Sequence, residues 1–364
     1  MIQLGIFLLG IAAVPYIIYV YGITFGKNHN RVVTPPFGEP LGGDLPPISI
    51  VISAYNEEKN IVRRIENLLE SDYKNMEIVV IDDCSTDDTC GKAWGALEVS
   101  RVPYQLSRND TRMGTSASYN KAIKMAKHDL IVATDADTLF KPDAIYWIIG
   151  KLKSNDMIGA VAIGAVTGDL QPYPDHNQVA KMESEYRSVY GKMCGWESAH
   201  DSTFNFNGAL MAFKRDAVGV INAQKGADDA NIAFAAIRNG YRAVYEASAV
   251  VYETTPQSFR IQFRQKIRRA SGLLNAMWSN RDLLWEDRPF ARFFFYRMWM
   301  YFISPAAFFV GIFCDPYLLI ATAISMFVPF FRSFILNQFY LLAGLITINR
   351  NVKTWESTSS LEGK

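Results

Sequence analysis

The sequence predicts an α/β domain with a mostly parallel sheet, held between apolar segments at the two ends of the chain. In the middle of the chain, short runs rich in β-branched residues alternate with helical patterns, which is typical of a parallel sheet covered by helices on both faces. Charged residues are absent from Ile2 to Gly26 and sparse from Phe293 to Ile348. We therefore expect a soluble-looking domain between membrane segments.

The overall charge excludes one broad class of partner. The 364 residues include 37 Lys and Arg against 36 Asp and Glu, so the strong positive charge of nucleic-acid-binding proteins is missing. No nucleic-acid partner is expected. The four cysteines show no paired metal-binding spacing, and we assign them no chemistry.

The first 26 residues predict a membrane-spanning helix. Their uncharged run can cross a hydrocarbon core of about 30 Å at about 1.5 Å per helical residue. A cleaved signal peptide is the alternative, but such a peptide has a basic start and a shorter apolar region. Lys27 and Arg31 follow the run and no basic residue precedes it. The positive-inside rule then places the next domain in the cytoplasm.

Three apolar stretches follow Arg292, namely residues 293–314, 316–331 and 333–348. We favour three C-terminal helices, and hence four spans in a multi-pass protein of the cell membrane. The alternative joins the last two stretches into one kinked helix, which leaves two C-terminal spans. The basic residues near the C-terminus would then suit a cytoplasmic tail.

Polar motifs follow three predicted strands. The strands are Ile48–Ser53, Glu77–Ile81 and Leu130–Ala133, and Asp82-Asp83 and Asp135-Ala-Asp137 follow the last two. In open parallel sheets, ligands bind beyond the carboxyl ends of the strands. The sequence therefore predicts a nucleotide site at this edge.

These motifs resemble glycosyltransferase family 2, the inverting enzymes of GT-A fold that include cellulose and hyaluronan synthases. The resemblance covers about residues 47–275, and the flanking helices resemble those of membrane-bound members, including transferases that use lipid-linked sugars. It implies a Rossmann-like GT-A catalytic domain that transfers a sugar from a nucleotide donor.

The resemblance implies the residues that hold the nucleotide. Ser53-Ala-Tyr-Asn-Glu57 and Ile81-Asp-Asp83 with Ser85-Thr-Asp87 resemble the segments that bind the base and ribose. The residues carried over are Ala54, Tyr55, Glu57 and Asp83. As an alternative, Asn56 and Ser85 cap helices and Asp82 serves a turn.

Asp135-Ala-Asp137 resembles the metal-binding D-x-D motif, and Asp135 is also expected at the nucleotide. Two carboxylates beyond a buried strand can coordinate Mg²⁺ or Mn²⁺ together with diphosphate oxygens. The metal would offset the charge that develops on the leaving diphosphate. Two solvated loop acids are the alternative.

Two later segments resemble the acceptor side and the base of the family. Asn207-Gly208 resembles a glycine-containing acceptor segment, with a simple turn as the alternative. Asp228-Asp229 resembles the acidic pair whose second member, Asp229, is the catalytic base, and Asp228 is expected on the acceptor side. A base must lie within hydrogen-bond reach of the acceptor hydroxyl. A helix cap is the alternative.

Gln265-Lys-Ile-Arg-Arg269 resembles the Q-x-x-R-W motif of polysaccharide-synthesising members but ends in Arg269 instead of Trp. The resemblance implies that Gln265 and Arg268 approach the nucleotide and diphosphate and that Arg269 faces the acceptor. In the family the Trp stacks beneath the acceptor sugar, so its absence favours single transfer. The basic, amphipathic pattern predicts helices at an anionic membrane surface, with a solvated face of the domain as the alternative.

The expected function is inverting, metal-dependent transfer from a UDP-linked sugar to a lipid-linked or membrane-proximal saccharide acceptor, at the lipid bilayer. The alternatives are a processive polysaccharide synthase and a non-catalytic nucleotide-binding membrane scaffold. The predicted segments are a spanning helix (1–26), a linker (27–46), the cytoplasmic catalytic domain (47–257), interface helices (258–292), spanning helices (293–348) and a tail (349–364).

Overall fold

The computed structural model describes residues 1–26, 45–154, 156–173, 178–222, 226–254 and 259–347. Most of the predicted linker and all of the predicted tail lie outside these ranges, as do the flanking Lys27 and Arg31. The chain divides into two compact units. The helical unit combines Met1–Asn28 with Gln257–Val352, and the α/β unit comprises His29–Pro256 together with Lys353–Lys364.

The α/β unit contains one eight-stranded sheet. Its strands are β1 (Ile48–Ala54), β2 (Met76–Asp82), β3 (Tyr104–Arg108), β4 (Leu130–Asp135), β5 (Thr138–Phe140), β6 (Ile163–Pro172), β7 (Met211–Lys214) and β8 (Arg242–Glu253). Its helices are α2 (Ile61–Leu69), α3 (Thr89–Val99), α4 (Thr115–Met125), α5 (Ala144–Lys153), α6 (Gln178–His200), α7 (Arg215–Val218) and α8 (Asp228–Arg238).

The strand order is β3-β2-β1-β4-β7-β6-β8-β5. The first four strands are parallel, β7 pairs antiparallel with both β4 and β6, β6 and β8 are parallel, and β5 closes the edge antiparallel to β8. The three strands predicted from the sequence are β1, β2 and β4. They are adjacent and parallel, so their carboxyl ends share one edge of the sheet.

The central strands are continuous apolar runs because helices cover both of their faces. Every residue of β2 is buried, and β1 is buried except for the partly exposed Ser53. Side chains such as Ile50, Val80 and Val132 form the core with Ile148 of α5. This rigid centre fixes the positions of the loops that follow β1, β2 and β4.

The helical unit is built from both ends of the chain. Its helices are α1 (Ile2–Phe25), α9 (Phe259–Ser279), α10 (Pro289–Met298), α11 (Ser304–Phe313), α12 (Pro316–Ser325) and α13 (Pro329–Thr347). A π-helical turn at Trp299–Ile303 joins α10 to α11. A Cβ at Gly5 would lie 2.8 Å from the Gly311 carbonyl oxygen, so glycines let α1 and α11 approach closely.

Two helical segments of the described residues are long and apolar enough to cross a membrane, Ile2–Phe25 and Pro289–Phe313. Pro316–Ser325 is a shorter apolar helix. The expected count of four spans is therefore not supported, because the helix formed by the second predicted C-terminal stretch has 10 residues, which is too short to cross a membrane. The second and third stretches form separate helices, α12 and α13, instead of one kinked helix.

The predicted interface helix, α9, uses apolar side chains inside the helical unit. The ring of Phe263 lies 5.9 Å from that of Phe339 and 5.5 Å from that of Tyr340 on α13. Lys266 Nζ lies 5.8 Å from the centre of the Tyr340 ring. Part of the amphipathic pattern is therefore explained by packing against α13.

Candidate active site

The site begins at the shared carboxyl edge of β2, β1 and β4. The register pairs Ala54 with Asp82 and Ser53 with Asp135. The acidic motifs at the ends of β2 and β4 therefore lie on either side of the loop that follows β1. The predicted nucleotide residue Ala54 is the buried last residue of β1.

The loops after β1 and β2 are locked together by polar contacts. Asn56, with a left-handed φ of 55°, accepts a hydrogen bond from the Thr86 backbone N–H at 2.8 Å through its Oδ1. The Asn56 N–H donates to Ser85 Oγ at 3.0 Å. Asn60 and Asp88 occupy the N-cap positions of α2 and α3. Asn56 and Ser85 thus join two loops, and the helix-cap alternative for them is wrong.

Asp83 holds the segment that leads into α4. Its Oδ1 accepts hydrogen bonds from Asn109 Nδ2 at 2.8 Å and Met113 N–H at 2.9 Å, and its Oδ2 accepts one from Gly114 N–H at 2.8 Å. Gly114 has a φ of 88°, a conformation that favours glycine. The predicted nucleotide residue Asp83 therefore also shapes the loop from 109 to 114.

Tyr55 is covered by a cation. The Arg112 guanidinium carbon lies 3.7 Å from the centre of the Tyr55 ring. Aromatic rings and guanidinium planes are the surfaces on which nucleobases stack. This pair is thus chemically suited to one wall of a nucleotide site.

Gly208 makes room for the first acid of the D-x-D motif. A Cβ at Gly208 would lie 3.2 Å from Asp135 Oδ2, which is tighter than most real contacts. The Thr134 hydroxyl donates to the Ala209 carbonyl at 2.7 Å and ties the two segments together. The structure therefore brings the predicted acceptor segment and the predicted metal ligand into contact.

Asn207 ties its own loop to β6, and its expected place on the acceptor side remains a prediction. Its Nδ2 donates to Thr167 Oγ1 at 3.0 Å and to the Gly168 carbonyl at 2.8 Å. Its Oδ1 accepts from the Leu210 N–H at 3.2 Å. These bonds fasten the loop to β6.

Glu57 is a buried carboxyl group beside the D-x-D acids. Its Oε2 accepts a hydrogen bond from Asn60 Nδ2 at 2.7 Å, whereas Oε1 is buried without a partner in the described residues. The pKa of Glu57 is raised to about 8, first by burial and then by the negative charges of Asp137 and Asp135. Burial and the charges of the two D-x-D acids therefore favour the protonated form of Glu57 beside the predicted cation site.

Asp135 and Asp137 could hold a divalent cation through a small number of protein ligands. The described residues contain no group of three or more His, Cys, Asp or Glu placed to enclose a metal. Mg²⁺ in nucleotide enzymes is commonly held by one or two carboxylates, phosphate oxygens and waters. The carboxylate pair and the unsatisfied Glu57 oxygen fit that kind of open site.

The acidic pair opens α8. Ala227 is the N-cap residue, and Asp228 and Asp229 lie in the first turn, where the helix dipole favours negative charge. Neither acid occupies the N-cap position itself. The Ser116 hydroxyl donates to Asp228 Oδ1, and Asp229 Oδ1 accepts from its neighbour's N–H. Burial and then the charge of Asp229 raise the pKa of Asp228 to about 7.

Tyr119 connects the two acidic motifs. This α4 side chain is buried, and its hydroxyl has no hydrogen-bond partner in the described residues. Burial raises its pKa well above the usual value, and the charges of Asp135, Asp228 and Asp229 act in the same direction. The Tyr119 hydroxyl therefore lies within electrostatic range of both the first D-x-D acid and the acidic pair. No motif in the sequence marks Tyr119.

The predicted Gln265, Arg268 and Arg269 belong to α9 of the helical unit. Gln265 is buried, Arg268 is half-buried and Arg269 is exposed. Their expected roles toward the donor and acceptor remain predictions.

Comparison with known proteins identifies related sequences. Residues 49–219 match the family model described as Glycosyl transferase family 2. Poly-beta-1,6-N-acetyl-D-glucosamine synthase of Staphylococcus aureus is 26% identical over 234 residues, which cover 63% of this chain and 55% of the relative. The Staphylococcus epidermidis enzyme of that name is 25% identical over 248 residues, covering 64% and 57%. The match thus spans about half the length of these relatives.

One solved structure is similar over nearly the whole chain. It is the mannosyltransferase from Pyrobaculum calidifontis in complex with GDP-Man and Mn²⁺. The TM-score is 0.79 at 23% identity, with 96% of this chain and 99% of that chain covered. At this identity the similarity establishes a shared fold.

Proposed function

We propose that this chain, whose residues 49–219 match glycosyltransferase family 2, transfers a sugar from a nucleotide donor to a lipid-linked or membrane-proximal acceptor. The transfer proceeds with inversion and requires Mg²⁺ or Mn²⁺. It is a glycosyltransferase with a mixed-sheet α/β fold of GT-A type. The observation that carries the proposal is the buried side chain of Tyr119, whose hydroxyl has no hydrogen-bond partner in the described residues and lies close enough to Asp135 and the acidic pair for their charges to raise its pKa. A cation site and a base would then serve one reaction centre.

Asp135 and Asp137 would hold the cation. When bound, it would supply positive charge to the leaving diphosphate. The carboxylate pair favours a hard cation, and the unsatisfied buried oxygen of Glu57 beside it fits the same kind of open site. The Mn²⁺ bound by the similar mannosyltransferase supports the same assignment.

Asp229 would accept the proton of the acceptor hydroxyl. Its neighbour Asp228 has a pKa raised to about 7 by burial and by the charge of Asp229, and it accepts a hydrogen bond from Ser116. Asp228 is thus already engaged with α4, which leaves Asp229 as the member of the pair proposed to be the base.

The donor would lie along the loops after β1 and β2. Tyr55 and Asp83 would contact the base and ribose, with Ala54 and Glu57 beside them, and Gln265 and Arg268 would approach the diphosphate. We infer a UDP-linked donor because the relatives matched by sequence are named as synthases of an N-acetylglucosamine polymer. The GDP-Man of the solved mannosyltransferase makes a GDP-linked donor the comparison to test.

A processive polysaccharide synthase is the second candidate, favoured by the names of the curated relatives. The Arg269 in place of the motif Trp favours single transfer. For either product we place the protein at a membrane, with Ile2–Phe25 and Pro289–Phe313 as spans and the catalytic domain on the cytoplasmic side.

The test is a transfer screen of the purified chain in detergent. UDP- and GDP-sugars are offered with a polyprenyl phosphate or an oligosaccharide, in Mn²⁺, Mg²⁺ or excess chelator, and products are resolved by mass. A single added sugar supports the first candidate, and a ladder supports the second. Asp135→Asn and Asp137→Asn should abolish turnover and leave the unfolding temperature nearly unchanged. Full turnover in excess chelator would disprove the metal dependence.

A further inference from the structure

A buried arginine lies behind the D-x-D turn. Arg64 occupies a core position of α2, whose buried side chains are Ile61, Arg64, Ile65 and Leu68. The spacing is that of an amphipathic helix, so an apolar side chain would be expected at this position. Arg64 is fully buried, and its Nε has no partner in the described residues.

The guanidinium contacts both sides of the turn that contains Asp135 and Asp137. Its Nη2 donates to Thr134 Oγ1 at 2.9 Å, immediately before the first acid. Its carbon lies 3.8 Å from the centre of the Phe140 ring, in the strand that follows the second acid. The charge is therefore fixed beside the turn and shielded from solvent.

Asn67, one turn further along α2, forms hydrogen bonds to both Arg64 and Phe140. Its Oδ1 accepts from Arg64 Nη1 at 2.8 Å and from the Phe140 N–H at 2.7 Å. Its Nδ2 donates to the Phe140 carbonyl at 3.0 Å. The neutral amide of Asn67 orients the guanidinium but does not compensate its positive charge.

The positive charge of Arg64 is retained despite burial. Burial lowers its pKa to about 9, and the charges of Asp135 and Asp137 are among those that oppose the lowering. At neutral pH the guanidinium is therefore charged. Burial without solvent screening makes a fixed charge effective over several ångströms.

We propose that Arg64 is a positioning residue that supplies a fixed positive charge to the Asp135–Asp137 turn, so that a divalent cation binds tightly only together with the donor diphosphate. Two carboxylates alone attract a cation strongly, and a nearby guanidinium offsets part of that attraction. The diphosphate then provides the negative charge that Arg64 has offset. This inference rests on the proposed metal site at these two acids.

Mn²⁺ binding to the full chain in detergent, without sugar donor or acceptor, tests the proposal. Free Mn²⁺ is followed by electron paramagnetic resonance, with and without UDP, and GDP replaces UDP if the screen selects it. The wild type should bind Mn²⁺ weakly alone and more tightly with the nucleotide. Arg64→Met should bind Mn²⁺ alone roughly tenfold more tightly, because the repulsive charge is gone. Its gain from nucleotide should shrink by a similar factor.

Arg64→Lys is the matched control, because it keeps the charge and loses the planar hydrogen bonds. Its Mn²⁺ affinity should stay close to that of the wild type. If Arg64→Met does not fold, Arg64→Gln removes the charge, keeps a hydrogen-bond donor at this position and should tighten Mn²⁺ binding in the same direction.

Three outcomes overturn the inference. Unchanged Mn²⁺ affinity in both neutral variants, Arg64→Met and Arg64→Gln, would show that the charge does not reach the cation. Equal changes in Arg64→Met and Arg64→Lys would show that Arg64 acts through packing. Weaker binding in Arg64→Met would show that it only shapes the turn. If the wild type binds no Mn²⁺ even with nucleotide, the proposed metal site itself fails, which is a separate result.

Discussion

Asp83→Asn should destabilise the α/β unit by several kcal/mol. The wild-type carboxylate accepts three hydrogen bonds, two at Oδ1 from Asn109 and Met113 and one at Oδ2 from Gly114. In Asn, one of these oxygens becomes an NH₂ group. The more favourable orientation keeps the carbonyl toward Asn109 and Met113, so that the new donor faces the Gly114 N–H, 2.8 Å from the former Oδ2.

The magnitude follows from these contacts. One hydrogen bond to a charged acceptor is lost, worth about 2 kcal/mol, and two more become neutral, at about 1 kcal/mol each. The expected loss in free energy of unfolding is therefore about 3–4 kcal/mol, before any donor–donor repulsion. The loop from 109 to 114 should lose its fixed conformation before the central strands do.

Chemical denaturation followed by tryptophan fluorescence measures this loss. Asp110→Asn is the matched control, since Asp110 is an exposed acid in the same loop and its replacement should change stability by less than about 0.5 kcal/mol. Nucleotide binding should weaken in Asp83→Asn and stay unchanged in the control. Equal stability of the two variants would refute the role assigned to the three hydrogen bonds.

Three more predictions concern the acids. Asp229→Asn should lower the transfer rate at saturating donor by roughly 10²–10⁴-fold with little change in donor affinity; a collapse of donor binding at an unchanged rate would make it a binding residue. Gly208→Ala should raise the Mn²⁺ concentration needed for turnover, because the new Cβ would lie 3.2 Å from Asp135 Oδ2, whereas Gly195→Ala, whose Cβ would meet its nearest neighbour at 4.0 Å, should not. The pKa of Glu57 in the folded state, about 8, exceeds its ordinary value of 4.5. Between these two pH values the folded state binds more protons than the unfolded state does. The stability of the metal-free protein should therefore fall as pH rises from about 4.5 to about 8. Glu57→Gln should reduce this fall, and parallel stability curves for variant and wild type would contradict it.

The α/β fold was predictable from the sequence and is confirmed, and residues 49–219 match the glycosyltransferase family 2 model that the motifs had indicated. The strands β1, β2 and β4 could be located because they are buried on both faces and therefore read as continuous apolar runs. The strand β6 could not, since Gly164 and Gly168 interrupt its pattern. Both glycines are needed for close packing, as a Cβ at either would lie 2.5 Å from a neighbour, Tyr241 or Ala249. The strand β3 could not be located either, because its end residues are exposed and it does not form a buried apolar run.

The site was predictable only where a motif carried it. The acids Asp135 and Asp229 stand in short patterns whose chemistry can be read along the chain. Arg64 and Tyr119 do not, because their roles depend on which segments meet in space. The hydrogen bond from Arg64 to Thr134, for example, spans 70 positions. Without the fold, an arginine in α2 is indistinguishable from one on a solvated face.

The helical unit joins residues that are made at opposite times during synthesis. The Trp299 indole N–H donates to the Ile11 carbonyl, 288 positions away, and Arg297 donates to the Tyr19 hydroxyl across 278 positions. During translation, α1 must therefore wait for nearly the whole α/β unit to emerge before its partners exist. At about 5–20 residues per second, that delay is roughly 15–60 s. A chaperone, a lipid shell or a temporary contact has to shield α1 for that time, and ribosome-stalled chains ending before α10 would reveal which one does.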